Sequence, residues 1–211
     1  MIKKHFILIG TAITLLLMTT AAMFYPGGSM FDKHSVGYSW RHNYVSNLFG
    51  EDAINGMPNP GRYWALCSMI FLSATCSLFF IEFSRKIPDA RAAKIIRYSG
   101  ITSMVFAVFI ATPLHDLMIS ISSSIFLLST FYITVFIFKS RLHLFKWLAV
   151  LYLAGFYGTL YIYNSGDVLE YLAVIQKALF AMTVVVVLAL HYGTKATDFV
   201  PKKDVTHATD N

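Results

Sequence analysis

One lysine of this sequence lies inside a long apolar stretch, where a charged side chain needs a chemical reason. Lys177 follows Gln176 within the apolar run 168–192, and the helical rise puts it roughly 13 Å below the start of that run. An ammonium at such a depth must reach up to water, pair with an opposite charge or bind an anionic group. Two interpretations stay open. In the first, the side chain reaches up to water or makes one ion pair, for example with Glu170 two turns earlier or with Asp116. In the second, it binds a phosphate or a lipid headgroup.

A histidine and an aspartate stand side by side between two other apolar runs. His115 and Asp116 follow Pro113, where one run ends and the next begins. A histidine there can activate water, or a serine such as Ser46, by accepting a proton. The alternative is a polar turn in which Asp116 caps the following helix. Adjacent helical residues point about 100° apart and share one metal ion poorly, so we predict no metal site.

Polar residues gather on one side of the predicted bundle. The segment 25–61 is the longest loop, and loops of that length without periodicity tend to be functional. We predict that it covers a polar cavity walled by the third, fourth and sixth helices. The predicted catalytic residues are His115, Asp116 and Ser46, and the predicted substrate-binding residues are Lys177, Gln176, Asn43, Asn47 and Glu170.

The composition sets the solvent in which these residues must work. Of the 211 residues, 56% are hydrophobic and 13% are charged, and the mean hydropathy is +0.60. A soluble domain carries about 25% charged residues, so this chain has too few charged residues to cover a surface that faces water. The net charge is +6, but the basic residues form short clusters between apolar runs, as in the cytoplasmic loops of membrane proteins. We therefore expect membrane lipids, and no nucleic acid, as partners.

Six apolar stretches are long enough to cross a hydrocarbon core, which takes about 20 residues. The fold class is therefore all-α: a six-transmembrane-helix bundle in residues 1–194, followed by a polar cytoplasmic tail, 195–211. The predicted spans are 6–24, 63–83, 98–114, 117–138, 144–163 and 168–192.

Lysines and arginines set the expected orientation. With the N-terminus inside, thirteen fall in inner segments and three in outer segments, a strong positive-inside bias. We predict cytoplasmic N- and C-termini and a prokaryotic inner membrane. One alternative is a cleaved signal peptide ending near Ala22, but its apolar run is long for one, and a retained first helix is favoured.

The sequence names no cofactor. Bis-histidine haem binding needs two histidines at similar depth, and the two that adjoin suitable spans, His115 and His191, lie at opposite surfaces. A Walker loop, a GxGxxG motif and zinc-type cysteine spacing are also missing from the sequence.

The segment 38–50, YSWRHNYVSNLFG, resembles the signature of a six-span prokaryotic membrane family catalogued as domain of unknown function 998. Pro113 and His115 near the end of the third span, and the pair Gln176 and Lys177 in the last, are similar to that family as well. The resemblance covers most of the chain and implies the same six-span fold.

The chain departs from the family's N-x-x-S-D-L-G stretch at two places. Asn47 stands where relatives have aspartate, and Phe49 separates Leu48 from Gly50. If that aspartate is chemically active in relatives, this chain lacks its activity. A more distant similarity, at the level of the fold alone, is to six-span FRAG/DRAM/Sfk-type proteins, some of which are linked to lipid handling.

Two functions follow from these patterns. The first is a lipid-directed membrane enzyme, a hydrolase or transferase, in which Lys177 holds an anionic headgroup and His115 acts as acid and base. The second is a non-catalytic lipid-binding, transport or accessory protein that uses the same cavity for affinity alone.

Overall fold

The computed structural model describes residues 2–166 and 168–200. Within them the chain forms six long helices, and no strand occurs. All six are long and apolar enough to cross a membrane, which confirms the predicted all-α, six-span class. The helices are α1 (Ile2–Met23), α2 (Gly61–Ser84), α3 (Ala90–Val108), α4 (His115–Lys139), α5 (His143–Ser165) and α6 (Leu169–Gly193).

The third helix begins earlier than the hydropathy pattern indicated. The predicted span started at residue 98, but α3 starts at Ala90. The Asp89 carboxylate caps it by accepting a hydrogen bond from the backbone N–H of Ala92 at 2.6 Å, a standard N-cap arrangement. The first turns are amphipathic: Ala92 and Ile96 are buried, whereas the basic residues Arg91, Lys94 and Arg97 are exposed. A hydropathy window averages these two faces, so the predicted span began only at residue 98.

Helices α1 to α4 pack as consecutive antiparallel neighbours, while α5 and α6 pack mainly on each other. Small and hydroxyl residues let the first four helices approach closely, as is usual in membranes. The Ser68 hydroxyl donates to the carbonyl of Thr14, and the Ser122 hydroxyl donates to the carbonyl of Ser103, both at 2.9 Å. The residual space lies between these four helices and the α5–α6 pair.

The bundle has two chemically different ends. One end, the loop end, carries the connection between α1 and α2, residues 24–60, here called the long loop. The other end, the basic end, carries the clusters of lysine and arginine. There the Lys86 ammonium donates to the carbonyls of Leu190, His191 and Thr194 at 3.1, 2.9 and 2.9 Å, which caps the C-terminus of α6 with a positive charge.

The beginning of the predicted polar tail is packed on the bundle. Residues Ala196–Phe199 form a short 3₁₀ helix. The Phe199 side chain is buried, with its ring centroid 5.6 Å from that of Phe83. The rest of the predicted tail, 201–211, lies outside the described residues.

Candidate functional site

The long loop is packed against the ends of α1 and α2. Its residues Tyr25, Leu48, Phe49 and Ala53 are buried in one apolar cluster with residues of the two helices. The hydroxyl of Tyr25 accepts a hydrogen bond from the backbone N–H of Ile54 at 3.0 Å. The loop therefore has a core of its own.

Lys177 joins the long loop to α6. Its ammonium donates to the backbone carbonyl of Asn43 in the loop and to the carbonyl of Ala173 in its own helix at 2.8 Å. The same ammonium lies 5.6 Å from the centroid of the Tyr38 ring, within the range of a cation–π contact. The ion pair with Glu170, one of the interpretations left open, is not formed: Glu170 is exposed and makes no salt bridge within the described residues.

Gln176 makes a second connection beside the first. Its side-chain oxygen accepts a hydrogen bond from the backbone N–H of Val45 at 2.9 Å. Tyr44 adds a longer contact, from its hydroxyl to the carbonyl of Leu169 at 3.4 Å. Consecutive residues of one helix thus bind a donor and an acceptor of the loop backbone, which fixes the loop's position over α6.

Asn43 is the polar centre of the loop and is fully buried. Its side-chain oxygen accepts from the backbone N–H of Ser39 at 2.8 Å, and its amide donates to the carbonyl of Gly28 at 2.7 Å. Gly28 has a φ of +83°, and a Cβ there would collide with the backbone of Asn55. That turn needs glycine, and it presents the carbonyl that Asn43 binds.

Asn47 serves the local backbone. Its side-chain oxygen accepts from the backbone N–H of Tyr44 at 2.6 Å and begins the short 3₁₀ helix Val45–Phe49. Ser46 lies within that helix and is half-buried. In the described part of the chain, its hydroxyl has no hydrogen bond to His115.

Tyr38 contacts both partners of the bond between Lys177 and the Asn43 carbonyl. Its hydroxyl donates to the carbonyl of Asn43 at 3.2 Å, the same carbonyl that Lys177 binds. Burial, and secondarily the neighbouring Tyr25, raise the pKa of the Tyr38 phenol above its ordinary value. The phenol therefore stays neutral and donates a hydrogen bond.

The second polar group lies where α3 meets α4. His115 Nδ1 is 3.0 Å from Asp116 Oδ1, and the same oxygen accepts a hydrogen bond from the Tyr163 hydroxyl of α5 at 2.7 Å. Since a carboxylate only accepts, Nδ1 must carry the proton. The other ring nitrogen, Nε2, is covered and has no hydrogen-bond partner within the described residues.

Asp116 does not act as a helix cap, which was the alternative interpretation. It is the second residue of α4, and the N-cap position is Leu114. Its carboxylate is exposed and orients His115 instead. A negative charge in the first turn still suits the helix dipole.

The structure thus divides the predicted site residues into two groups. Asn43, Asn47, Gln176 and Lys177 belong to the attachment of the long loop, through bonds to its backbone. His115 and Asp116 form a separate group with Tyr163. No hydrogen bond or ion pair links the two groups in the described ranges, and Ser46 and Glu170 belong to neither.

Among the cavities of the described part of the chain, two lie away from both groups. One is an apolar cavity between α2, α4, α5 and α6 in the half nearer the basic end. The other is an open groove on the long loop, bordered by residues such as Lys33, His34 and Asn55. Neither is walled by α3, α4 and α6 as the predicted cavity would be.

Metal-binding side chains do not cluster in the part of the chain that the structure describes. No three side chains of His, Cys, Asp and Glu lie together there as a metal site would require. His115 and Asp116 bind each other, and the third member of their group is a tyrosine.

Comparisons with known proteins add no relative to this picture. The chain matches no family model, no curated protein and no solved structure. The family resemblance of the segment 38–50 stays a prediction.

Sequence reasoning missed three residues that complete the two groups. Tyr38 and Tyr163 supply hydroxyls to Asn43 and Asp116, and Ala173 supplies a carbonyl to Lys177. Ala173 was foreseeable, because it lies four residues before Lys177 on the same helical face. The two tyrosines were not, since this chain has 12 tyrosines and nothing local distinguishes these two.

Proposed function

We propose that this protein is a multi-pass protein of a prokaryotic inner membrane that performs acid–base chemistry on lipid headgroups at its loop end, as a hydrolase or a transferase. The observation that carries the proposal is the pairing of His115 with Asp116. A carboxylate on Nδ1 fixes the tautomer in which Nε2 is the basic nitrogen. This nitrogen has no protein partner in the described residues and is left for a substrate or water.

The chemistry assigned to the pair is proton transfer. Nε2 accepts the proton of an attacking water or hydroxyl while the new bond to the headgroup phosphorus or carbonyl carbon forms. The imidazolium then returns that proton to the leaving oxygen as its bond breaks, and Asp116 stabilises the positive charge in between. Tyr163 holds the carboxylate in place. Because Nε2 is covered, the side chains over it must move to admit a substrate.

The orientation belongs to the same proposal. The lysines and arginines concentrate at the basic end, which favours a cytoplasmic basic end and cytoplasmic termini. The loop end and His115 then face outward, next to the outer leaflet. The substrate would be a headgroup of that leaflet.

The proposal gives Lys177, Gln176, Asn43 and Asn47 a supporting role instead of substrate binding. Their polar atoms are used to attach the long loop. Within the described residues, Lys177 uses two of the three N–H donors of an ammonium, so one further donor is left there. These residues hold the loop in position beside the α3–α4 turn.

A second candidate is a non-catalytic lipid-binding, transport or accessory protein. The specific observation in its favour is that Asn43, Asn47, Gln176 and Lys177 use their polar atoms to attach the long loop, while Nε2 of His115 is covered. Such an arrangement is consistent with a protein that binds lipid and does not convert it. It would leave His115 as a polar residue that orders the α3–α4 turn.

We also propose kinship with the domain of unknown function 998 family, on the segment 38–50. The departure at Asn47 has a simple physical account. Its side-chain oxygen accepts a hydrogen bond from Tyr44, and an aspartate oxygen would accept the same bond. Asparagine can therefore replace the family's aspartate at this position without loss of the local fold.

Mass spectrometry that resolves lipid headgroups tests the enzymatic proposal. Cells expressing the natural chain are compared with cells expressing His115→Ala, Asp116→Asn or the control His143→Ala at matched membrane levels. His143 is exposed at the basic end, so the control removes a histidine far from the site. We expect a lipid species to change with the natural chain and with His143→Ala only.

Identical lipid profiles for the natural chain and His115→Ala would contradict catalysis and favour the second candidate. A loss of His115→Ala from the membrane would leave Asp116→Asn to decide, since that change keeps the shape of the side chain. Loss of turnover in Asp116→Asn, with the protein folded, supports the assigned proton transfer.

A further inference from the structure

The long loop reaches below the end of the helix to which it is attached. The Lys177 ammonium binds the carbonyl of Ala173, four residues after α6 begins at Leu169, so it lies roughly 6 Å past the start of that helix. The same ammonium binds the backbone carbonyl of Asn43. The loop backbone at Asn43 therefore lies near the level of the second turn of α6.

A second part of the long loop lies at a similar level on α1 and α2. Its buried residues Leu48 and Phe49 share one apolar cluster with Met18 and Ala65. Met18 comes five residues before the end of α1, and Ala65 comes four residues after the start of α2. These positions are roughly 6 to 8 Å inside the two helices. Three helices thus indicate the same depth for the loop.

Non-helical backbone at that depth needs polar partners inside the protein, because hydrocarbon supplies none. The segment 38–49 meets this requirement. Backbone N–H groups along it donate to oxygens of the protein, at Ser39, His42, Asn43, Tyr44, Val45 and Asn47. The acceptor for Val45 is the side chain of Gln176, and the donor to the Asn43 carbonyl is Lys177. Two neighbouring polar residues of an apolar helix thus satisfy backbone that lipid could not.

Trp40 is the exposed aromatic residue of this segment. It is 60% exposed, and its ring centroid lies 5.2 Å from that of Tyr38. The Tyr38 ring lies 5.6 Å from the Lys177 ammonium, so Trp40 is close to the same level of α6. The surface of α6 at that level is apolar, as the exposed Val174 shows. A tryptophan in this position is typical of the aromatic belts at membrane interfaces.

We propose that residues 38–49 form a re-entrant segment that enters the leaflet at the loop end, where Trp40 contacts the glycerol and upper acyl region of phospholipids. The partner follows from the depth, because an exposed ring below the helix ends meets lipid and not water. Gln176 and Lys177 hold the backbone of the segment at that depth. This inference rests on the six membrane-spanning helices and does not depend on the headgroup chemistry proposed for His115.

Quenching of tryptophan fluorescence by brominated lipids tests the position of Trp40. The full chain is placed in phosphatidylcholine vesicles that carry bromine on either the upper or the lower part of the acyl chains. The chain has three tryptophans, so Trp64→Phe with Trp147→Phe leaves Trp40 alone. We expect bromine on the upper part to quench Trp40 more strongly than bromine on the lower part, because the segment lies only one to two helical turns deep.

Two further single-tryptophan chains provide the references. Trp40→Phe with Trp147→Phe keeps Trp64, an exposed residue in the first turn of α2. Lys33→Trp, with the three natural tryptophans changed to phenylalanine, places the ring in an exposed part of the same loop. We expect Trp40 to be quenched as strongly as Trp64, and the Lys33→Trp chain to be quenched several-fold less. Quenching of Trp40 that only equals that of the Lys33→Trp chain would overturn the proposal.

A matched pair of variants on α6 tests whether Gln176 holds the segment in the leaflet. Gln176→Met removes the acceptor of the Val45 N–H, whereas Val174→Met changes an exposed residue of the same helix. Iodide in the water phase, which does not enter hydrocarbon, measures the access of water to Trp40. We expect iodide quenching of Trp40 to rise in Gln176→Met only, because an N–H without a partner is costly in lipid.

Two results of this second experiment would contradict the role assigned to Gln176. One is unchanged iodide quenching of Trp40 in folded Gln176→Met. The other is an equal rise in Gln176→Met and Val174→Met, which would show a general loosening of the bundle. If Gln176→Met does not fold, the comparison of Trp40 with Trp64 and with the Lys33→Trp chain decides the proposal, since it changes no residue of α6.

Discussion

The ammonium of Lys177 and the backbone carbonyl of Asn43, 134 positions apart in the chain, are joined by a hydrogen bond. This bond explains how a lysine is accommodated inside an apolar helix. The charge is satisfied by two carbonyls and by the face of the Tyr38 ring, without a carboxylate among the described residues. The lysine acts as an anchor for the long loop.

Replacing this anchor should loosen the long loop. We expect Lys177→Met to keep the apolar length of the side chain and to cost about 1–3 kcal/mol, because the Asn43 carbonyl loses a charged donor. Limited proteolysis should then cut the long loop faster. The control is Lys33→Met, in an exposed part of the same loop, which should change little. If Lys177 instead serves a ligand, the long loop would stay as resistant as before.

Asn43 should be the most sensitive polar residue of the long loop. Asn43→Ala leaves the carbonyl of Gly28 and the N–H of Ser39 without their partners, and unsatisfied buried groups cost about 1–3 kcal/mol each. We expect a clear fall in the melting temperature in detergent. The control is Asn164→Ala, on the exposed end of α5. It should change the free energy of unfolding by less than about 0.5 kcal/mol and so hardly move the melting temperature. Equal shifts would argue against a buried polar centre.

The contact between α2 and α3 depends on a glycine. A Cβ at Gly100 would collide with the ring of Phe80, so Gly100→Ala should destabilise the protein by about 1–3 kcal/mol. Gly158, in α5, faces open space, and Gly158→Ala should stabilise its helix by about 0.5–1 kcal/mol. Thermal unfolding of both variants measures the difference. Opposite signs are expected, and a loss of stability in both would contradict the packing described.

Alkaline pH should weaken the attachment of the long loop through Tyr38. Burial raises the pKa of this phenol, so the folded protein keeps a proton that the unfolded chain releases near pH 10. Stability from this group is complete below pH 10 and is lost as the pH rises further. In Tyr38→Phe, the fall in stability above pH 10 should be shallower.

The control for this pH dependence is Tyr161→Phe, an exposed tyrosine of α5. It should leave the slope of stability against pH as it is in the natural chain. A slope in Tyr38→Phe equal to that of the natural chain would show that Tyr38 does not contribute.

The six spans were predictable because hydropathy is a local property of the sequence. The first turns of α3 lay outside the predicted span because they alternate buried alanine and isoleucine with exposed basic residues, as Ala92 and Lys94 show. Amphipathic turns of that kind resemble a surface loop in a hydropathy window. The cap at Asp89 was the available signal.

The sequence predicted most of the residues that belong to the polar groups, but it did not predict their hydrogen-bond partners. Lys177 stood out because a charge in an apolar run is rare, but its partner is a backbone carbonyl, and every residue has one. Lys86 was seen only as one of many basic residues, although it binds three carbonyls at the end of α6. Partners of this kind depend on the packing of distant helices and leave no pattern in the sequence.

The bond between Lys177 and Asn43 also has a consequence for biosynthesis. A ribosome makes the chain from its N-terminus, so the segment with Asn43 leaves the exit tunnel long before the helix with Lys177 and Gln176. Until that last helix enters the bilayer, the Asn43 carbonyl and the Val45 N–H have no protein partner in α6. The first loop to be translated is therefore among the last parts of the protein to be fixed.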